Sequence, residues 1–494
     1  MNLKKCILIA SGIFLIIFLI KNIILINSLV RFPLYHLGDL SNHMSELFFL
    51  TNYGYHSLVP NWFNGFILLE SYAPLFFFML SPVYLILKSY TSTMVIGLIL
   101  IYALGFAAVL FLSKTQKLGN TIPLFLLIFA NPLMINNITN IGRFPETIAI
   151  VFMMFFIGLI LYYKNKEIDI KFMILFIIIY SLIILAHPYV TLITSIIIIP
   201  SFFLIKNLKD KIKLIVLAII SLLITSFSWK PFLNILGKPL KELNPLTELL
   251  SIKSIISFNT IILIAFLVIF FIYWNKNKSR KDLIFYSIPT IISILLLTRI
   301  AVIIPLLNKI PPNTFNIFYL VITLILFFKI KEFKIKNLEF NKYIGIILIL
   351  IALVSIPLVY LQHEQSYSKD NPELNKEIIQ LYPLIDDRFI ILSKTLEHDN
   401  LLAYGVINYN LTTPSGSYHP AARKEILEQG LIEDTQYFKK AFDFNCEKTK
   451  QLMNKWDIIY ILSHGEHCTF LKECNFKEIK TMNEACLYKN ERNN

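Results

Sequence analysis

Charge is what this sequence has least of. Only 16% of its 494 residues are Asp, Glu, Lys or Arg, against about 25% in an ordinary soluble protein, and 56% are hydrophobic. With a mean hydropathy of +0.64, a single water-soluble globule is excluded. The chain also lacks a phosphate-cradling Gly-rich loop, a His/Cys set at metal-binding spacing and a nucleophile elbow. Those absences remove the standard nucleotide-binding, zinc-module and serine-hydrolase readings. Cysteine is sparse and lopsided: of five, Cys6 lies in the first apolar run, and Cys446, Cys468, Cys474 and Cys486 follow the last one. Four cysteines in an external tail suggest two disulfides, with three connectivities open.

What the chain does have is long apolar runs, recurring as far as about residue 361. The expected spans are 6–30, 91–112, 121–138, 145–163, 172–187, 189–205, 214–229, 257–274, 283–306, 314–328 and 343–361. The first is too long for a signal-peptide core and is read as a retained span. The fold class expected is therefore a polytopic α-helical membrane protein of about eleven transmembrane helices. The net charge of +14 does not point to nucleic acid, because the Lys residues sit in short loops between apolar runs.

Those loops also fix an orientation. The run 73–88 is short and interrupted by Ser81-Pro82, which is expected to break a helix there. If it does not cross, Lys4 and Lys5 share a side with 113–120, 163–171, 206–213, 275–282 and 329–342. Every Lys-dense short loop is then cytoplasmic, as the positive-inside rule requires. The expectation is a multi-pass protein of the cell membrane with its N-terminus inside. Residues 1–361 form the transmembrane domain, with a first external loop at 31–90, and 362–494 an extracytoplasmic domain. In that tail "DDRFIILSK", "LLAYGVINY" and "WDIIYILS" read as strands, while "PAARKEILEQGLIEDTQYFKKAF" and "CEKTKQLMNKW" read as helices. An α/β domain follows.

Polar residues then gather on the outer face. Asp39 and His43 stand four apart in "YHLGDLSNHM", with Glu46 a further turn along, at the start of an amphipathic segment, 39–53. The simplest reading makes Asp39 a helix cap. Arg143 and Glu146 open the fourth span in "NIGRFPETIA", His187 ends the fifth, Arg299 sits late in the ninth, and "PNWFNGF" adds Trp62 and Asn64. Taken singly, Arg299 is a snorkelling cation, His187 and Glu146 are helix-end residues, and Trp62 is an interfacial anchor. Together they supply a carboxylate that can act as base or hold a divalent cation, a second carboxylate, an imidazole and a phosphate-binding guanidinium. Ionisable groups near spans are expensive and usually face a cavity.

On these residues the chain resembles the GT-C membrane glycosyltransferases, and within them poorly characterised archaeal multispanning proteins. "SYAPLFFFMLSPVYLI" is similar to their Pro-containing interfacial segment, and "ANPLMINNITNIGRFPETIAIVFMMFF" to their third-to-fourth span passage. The resemblance implies an inverting transfer of sugar from a polyprenyl-phosphate donor. Asp39, with His43 and Glu146, is implied as catalytic; Asp39 and Glu146 as holders of a divalent cation, Mg or Mn. Arg143 or Arg299 is implied for the lipid phosphate, with His187, Trp62 and Asn64 lining the substrate. Partners would be the lipid-linked sugar and membrane lipids, with oligomeric state left open. Asp39 is followed by Leu40 where several members have a second acid, and the tail has no tryptophan-rich acceptor motif, so en bloc protein N-glycosylation is not expected. The competing class is a non-enzymatic protein that transports or assembles lipid-linked glycans or envelope polymers.

Overall fold

The computed structural model describes residues 3–30, 32, 39–70, 72–119, 121–164, 166–205, 207–233, 245–250, 258–330, 340–367, 372–394, 398–417, 421–440 and 444–491. Apolar stretches unbroken by charge dominate it, and they form helices because only a helix satisfies its own backbone in hydrocarbon. The helix α1 (Leu3–Val30) is followed by α2 (Leu40–Tyr53), by a small hairpin of β1 (Leu58–Val59) and β2 (Phe66–Ile67), and by α3 (Leu75–Leu87). Then come α4 (Tyr90–Gln116), α5 (Thr121–Phe129) and α6 (Pro132–Ile135), which runs into a π-helical turn, Asn136–Asn140. The bundle continues with α7 (Phe144–Tyr163), α8 (Ile170–Ala186), α9 (Pro188–Leu204), α10 (Leu208–Ile224) and α11 (Ser226–Phe232). It is completed by α12 (Phe258–Asn277), α13 (Arg280–Leu297), α14 (Pro312–Ile330) and α15 (Phe340–Tyr367).

Each of the eleven expected spans meets a helix or a broken pair of helices. Six described helices are long and apolar enough to cross a bilayer, and the helix pair 121–129 and 132–140, bent by 55°, is long and apolar enough only when taken together. The helices α8, α9 and α10 have 17 residues each, about 25 Å of rise against a hydrocarbon core of about 30 Å. This is a multi-pass membrane protein. Its central helix is α7, whose apolar window is 94% buried between α4, α8 and α9. At one end of the bundle Lys164, after α7, pairs with Asp282 of α13, and Lys329 of α14 donates to Gln116 of α4 at 2.8 Å. The opposite end carries α2, the hairpin and the start of α7.

The sequence expectation at 73–88 is corrected in one respect. Pro82 does not break the helix: α3 runs through it to Leu87. Its 13 residues give about 20 Å, too short to cross alone.

The tail builds a four-stranded sheet in the order β3 (Phe389–Leu392), β4 (Tyr460–His464), β6 (Ala485–Lys489), β5 (Lys477–Met482), with only β3 and β4 parallel. Its helices are α16 (Pro372–Leu381), α17 (His398–Tyr409), α18 (Lys424–Glu428), α19 (Leu431–Lys440), α20 (Cys446–Lys455) and α21 (Glu466–Glu473). "LLAYGVINY" is thus the end of a helix, α17, not a strand. Nine residues of mixed apolar character fit either period, and here Leu401, Leu402, Ala403, Gly405 and Val406 are buried, in a helix packed against α2. Disulfides join Cys446 to Cys474 and Cys468 to Cys486; Cys6 is free and buried.

Candidate active site

The helix α2 begins at Asp39 because the chain is pinned there. The Asp39 amide donates to the Ile141 carbonyl at 2.6 Å, and the His43 amide to the Asp39 carbonyl at 2.9 Å. Gly142 makes this approach possible. Its φ is +77°, and a Cβ built on it would lie 2.8 Å from the Cβ of Leu40. Asp39 holds the N-cap position but makes no side-chain capping bond, so the simple cap reading fails. Its carboxylate instead faces Arg143, with Oδ2 3.7 Å from Nε.

Arg143 is the hub. Its Nη1 donates to Oε2 of Glu146 at 3.4 Å, and Oε1 of Glu146 accepts from the Thr314 hydroxyl at 2.7 Å. Glu146 is therefore held from α7 and α14 at once, in the first turn of α7, where a carboxylate also favours the helix dipole. Two carboxylates and one guanidinium form a chain, Asp39–Arg143–Glu146, at the wall of a cavity of about 290 Å³.

Six of the eight candidate residues line this cavity: Asp39, His43, Glu146, Arg143, His187 and Trp62. Arg299 and Asn64 do not. Arg299 lies just past α13, before a 3-10 turn, at φ +67°, and donates to the Leu296 carbonyl at 3.4 Å, while Asn64 is a positive-φ turn residue of the hairpin loop. Trp62 is not an anchor in the lipid interface: it is 2% exposed, edge-on to Phe49 at 5.0 Å. His187 stands between α8 and α9 without a side-chain cap bond, and meets Tyr72 edge-on at 6.3 Å.

Several lining residues were not on the list of candidates. Asn42 and Glu46 share the pocket face of α2 with Asp39 and His43, and the spacing 39, 42, 43, 46 could have shown it. Tyr72, Tyr189, Pro311 and Ser417 come from distant stretches that no local pattern unites. Ser417 belongs to the tail, which is knitted into the first loop. The Thr413 amide donates to the Asn61 carbonyl at 2.8 Å, Arg423 Nε to the Gly65 carbonyl at 3.2 Å, and Ser41 Oγ to Asn400 Oδ1 at 2.5 Å.

The electrostatics grade along α2. The Asp39 side chain is 47% exposed at the open end. The surrounding protein raises its pKa, Arg143 lowers it, and Glu146 and Asp399 raise it again; the net is upward. Two turns in, burial pushes the Glu46 carboxyl up to about 8, so it carries its proton at neutral pH. Burial, with His187 and Arg143 adding to it, lowers His43 to about 3, so its imidazole is neutral.

A divalent cation bridging Asp39 and Glu146 does not fit this arrangement. The guanidinium of Arg143 already stands between the two carboxylates, and no group of three or more His, Cys, Asp and Glu among the described residues could hold a metal.

The helical bundle, the short helices α2 and α3 and the docked α/β tail make a fold that recurs among solved structures. Among solved structures, the chain is similar to the Archaeoglobus fulgidus oligosaccharyltransferase AglB, in complex with an inhibitory peptide and a dolichol-phosphate. The TM-score is 0.54 and the identity 12%, over 94% of this chain and 70% of that one. It is likewise similar to ArnT from Cupriavidus metallidurans in the apo state, with a TM-score of 0.55 at 9% identity, over 97% of this chain and 98% of that one. A complex of the A. fulgidus oligosaccharyltransferase with Zn and sulfate aligns with a TM-score of 0.51 at 12% identity, over 92% of this chain and 68% of that one. No protein-family model matches the chain, and no curated protein matches its sequence.

Proposed function

We propose that this protein is a membrane glycosyltransferase that moves a sugar from a polyprenyl-phosphate donor to an acceptor hydroxyl at the outer face of the membrane, with inversion. The observation that carries the reading is the Asp39–Arg143–Glu146 chain in one cavity of a GT-C fold. In the reaction, the acceptor oxygen forms a bond to the anomeric carbon as the bond from that carbon to the phosphate oxygen breaks. The acceptor proton goes to Asp39, the exposed carboxylate at the open end, acting as general base. The phosphate leaves with the bonding electron pair. Arg143 turns Nε to Asp39 and Nη1 to Glu146, and Nη2 is the donor left for a phosphate oxygen. Arg143 is preferred to Arg299 for this role, because Arg299 lies outside the cavity. Glu146, fixed by Thr314, orients Arg143.

Placing Asp39 outside follows from charge. The ends of the bundle that carry Lys164, Lys329 and Asp282 are the Lys-rich loops expected in the cytoplasm, and the cavity is at the other end. The tail, with its two disulfides, then lies outside as well. The neighbour solved with dolichol-phosphate supports a donor of this lipid class. The test is the product. Membranes containing the protein are given polyprenyl phosphates carrying a labelled sugar, and the linkage formed is read by NMR. Inverted, labelled product meets the reading; a retained anomer would exclude single-step displacement with Asp39 as base.

A further inference from the structure

Base and phosphate chemistry use the open end of the cavity, at Asp39 and Arg143. The buried end has a different character. Asn42 Oδ1, His43 Nε2, Glu46 Oε2, Trp62 Nε1 and His187 Nδ1 are all buried, and none has a hydrogen-bond partner among the described residues. All five side chains line the cavity. His43, Glu46, Trp62 and His187 are each at most 8% exposed. Seventeen such atoms occur among the described residues, and five of them meet around this one cavity, a set shaped for something that enters it.

The chemistry of the set narrows the occupant. The indole N–H can only donate, the amide oxygen can only accept, and a neutral imidazole and a protonated carboxyl can do either. An apolar group would leave all five unsatisfied. A phosphate would want fixed cations, yet Asn42, His43, Glu46, Trp62 and His187 include no Lys or Arg. A hydroxyl both donates and accepts, so a ring bearing several hydroxyls can answer all five atoms together. Tyr72, packed against both His43 and His187, adds an aromatic wall for the ring's C–H face.

We infer that Asn42, His43, Glu46, Trp62 and His187 form the subsite for the transferred sugar, and that this sugar is an uncharged, polyhydroxylated ring. The inference rests on the glycosyl-transfer reading. It places the ring at the buried end of the cavity, beside the first two turns of α2, and the phosphate toward Arg143, so that the anomeric carbon falls beside Asp39.

The test uses the full-length protein in detergent and three short-chain probes: an isoprenyl phosphate, its neutral hexosyl esters and its uronosyl ester. Dissociation constants are measured by calorimetry. The hexosyl ester that fits binds at least tenfold more tightly than bare phosphate, and the uronosyl ester gains nothing. Trp62→Phe, which removes one N–H and keeps a ring, cuts the hexosyl gain by about fivefold, the worth of one buried hydrogen bond. Its affinity for bare phosphate does not move. Equal binding of bare phosphate and all hexosyl esters by the unaltered protein overturns the subsite, as does a uronosyl ester that binds as well as the hexosyl one. If none of the three probes binds, the glycosyl-transfer reading falls and takes the subsite with it.

Discussion

Removing Arg143 is the most informative single change, because one guanidinium serves two carboxylates. In Arg143→Met, Asp39 loses the neighbour that lowers its pKa, while Glu146 and Asp399 still raise it. At 3.7 Å the attraction between Asp39 and Arg143 is about 1 kcal/mol in water and about 4.5 kcal/mol at an effective dielectric of 20. Asp39 is 47% exposed, so screening puts the value between these limits, at about 1.5–3 kcal/mol. Losing that attraction moves the Asp39 carboxyl further upward. The sign is fixed: Arg143 favours the ionised base, so its loss moves the acid limb of the pH–rate profile to higher pH. The assay is kcat/KM for sugar transfer in proteoliposomes from about pH 4 to about pH 9, with KM for the lipid donor read separately. An acid limb that stays in place, with KM unchanged, would refute both the base role of Asp39 and the phosphate role of Arg143.

Three further outcomes follow from the same geometry. Gly142→Ala forces a side chain into a positive-φ position against Leu40, which costs about 1–2 kcal/mol for the backbone alone. Transfer should fall at least tenfold with protein level retained, whereas Gly12→Ala, where nothing lies within 4 Å of the added carbon, should leave it unchanged. Glu46 holds its proton in the folded state up to about pH 8, while the unfolded carboxyl releases it near 4.5. Its burial therefore makes stability fall as pH rises across that window, and Glu46→Gln should gain on the unaltered protein by up to about 1.4 kcal/mol per pH unit in denaturation midpoints. The disulfides close loops of 28 and 18 residues, each worth about 3 kcal/mol by loop entropy. Peptide mapping without reduction should recover Cys446 linked to Cys474 and Cys468 to Cys486, and a Cys446–Cys468 peptide would contradict the tail's fold.

The bundle was largely legible because hydrocarbon leaves the backbone one solution, and apolar runs mark it directly. So was one face of α2, since Asp39, His43 and Glu46 follow helical spacing. What local pattern does not carry is convergence. Ser41 meets Asn400 across 359 positions, and Thr413 meets Asn61, so the tail's share of the pocket wall has no sequence signal. Arg299 and Asn64 illustrate the reverse: both are the right residue type in the right neighbourhood, yet left-handed backbone at each spends them on turns. Pro82 misled for a physical reason too. A proline late in a short helix costs a bond to one carbonyl, and α3 packed against α2 and α4 absorbs it.

The central claim is that Asp39 takes the acceptor's proton. Its most direct test is single-turnover transfer of labelled sugar by the purified protein and by Asp39→Asn, with donor binding measured in parallel. The account predicts that Asp39→Asn binds donor within about threefold of the unaltered protein and transfers at least a hundredfold more slowly, within the range general bases supply. Transfer at an undiminished rate by Asp39→Asn would contradict it.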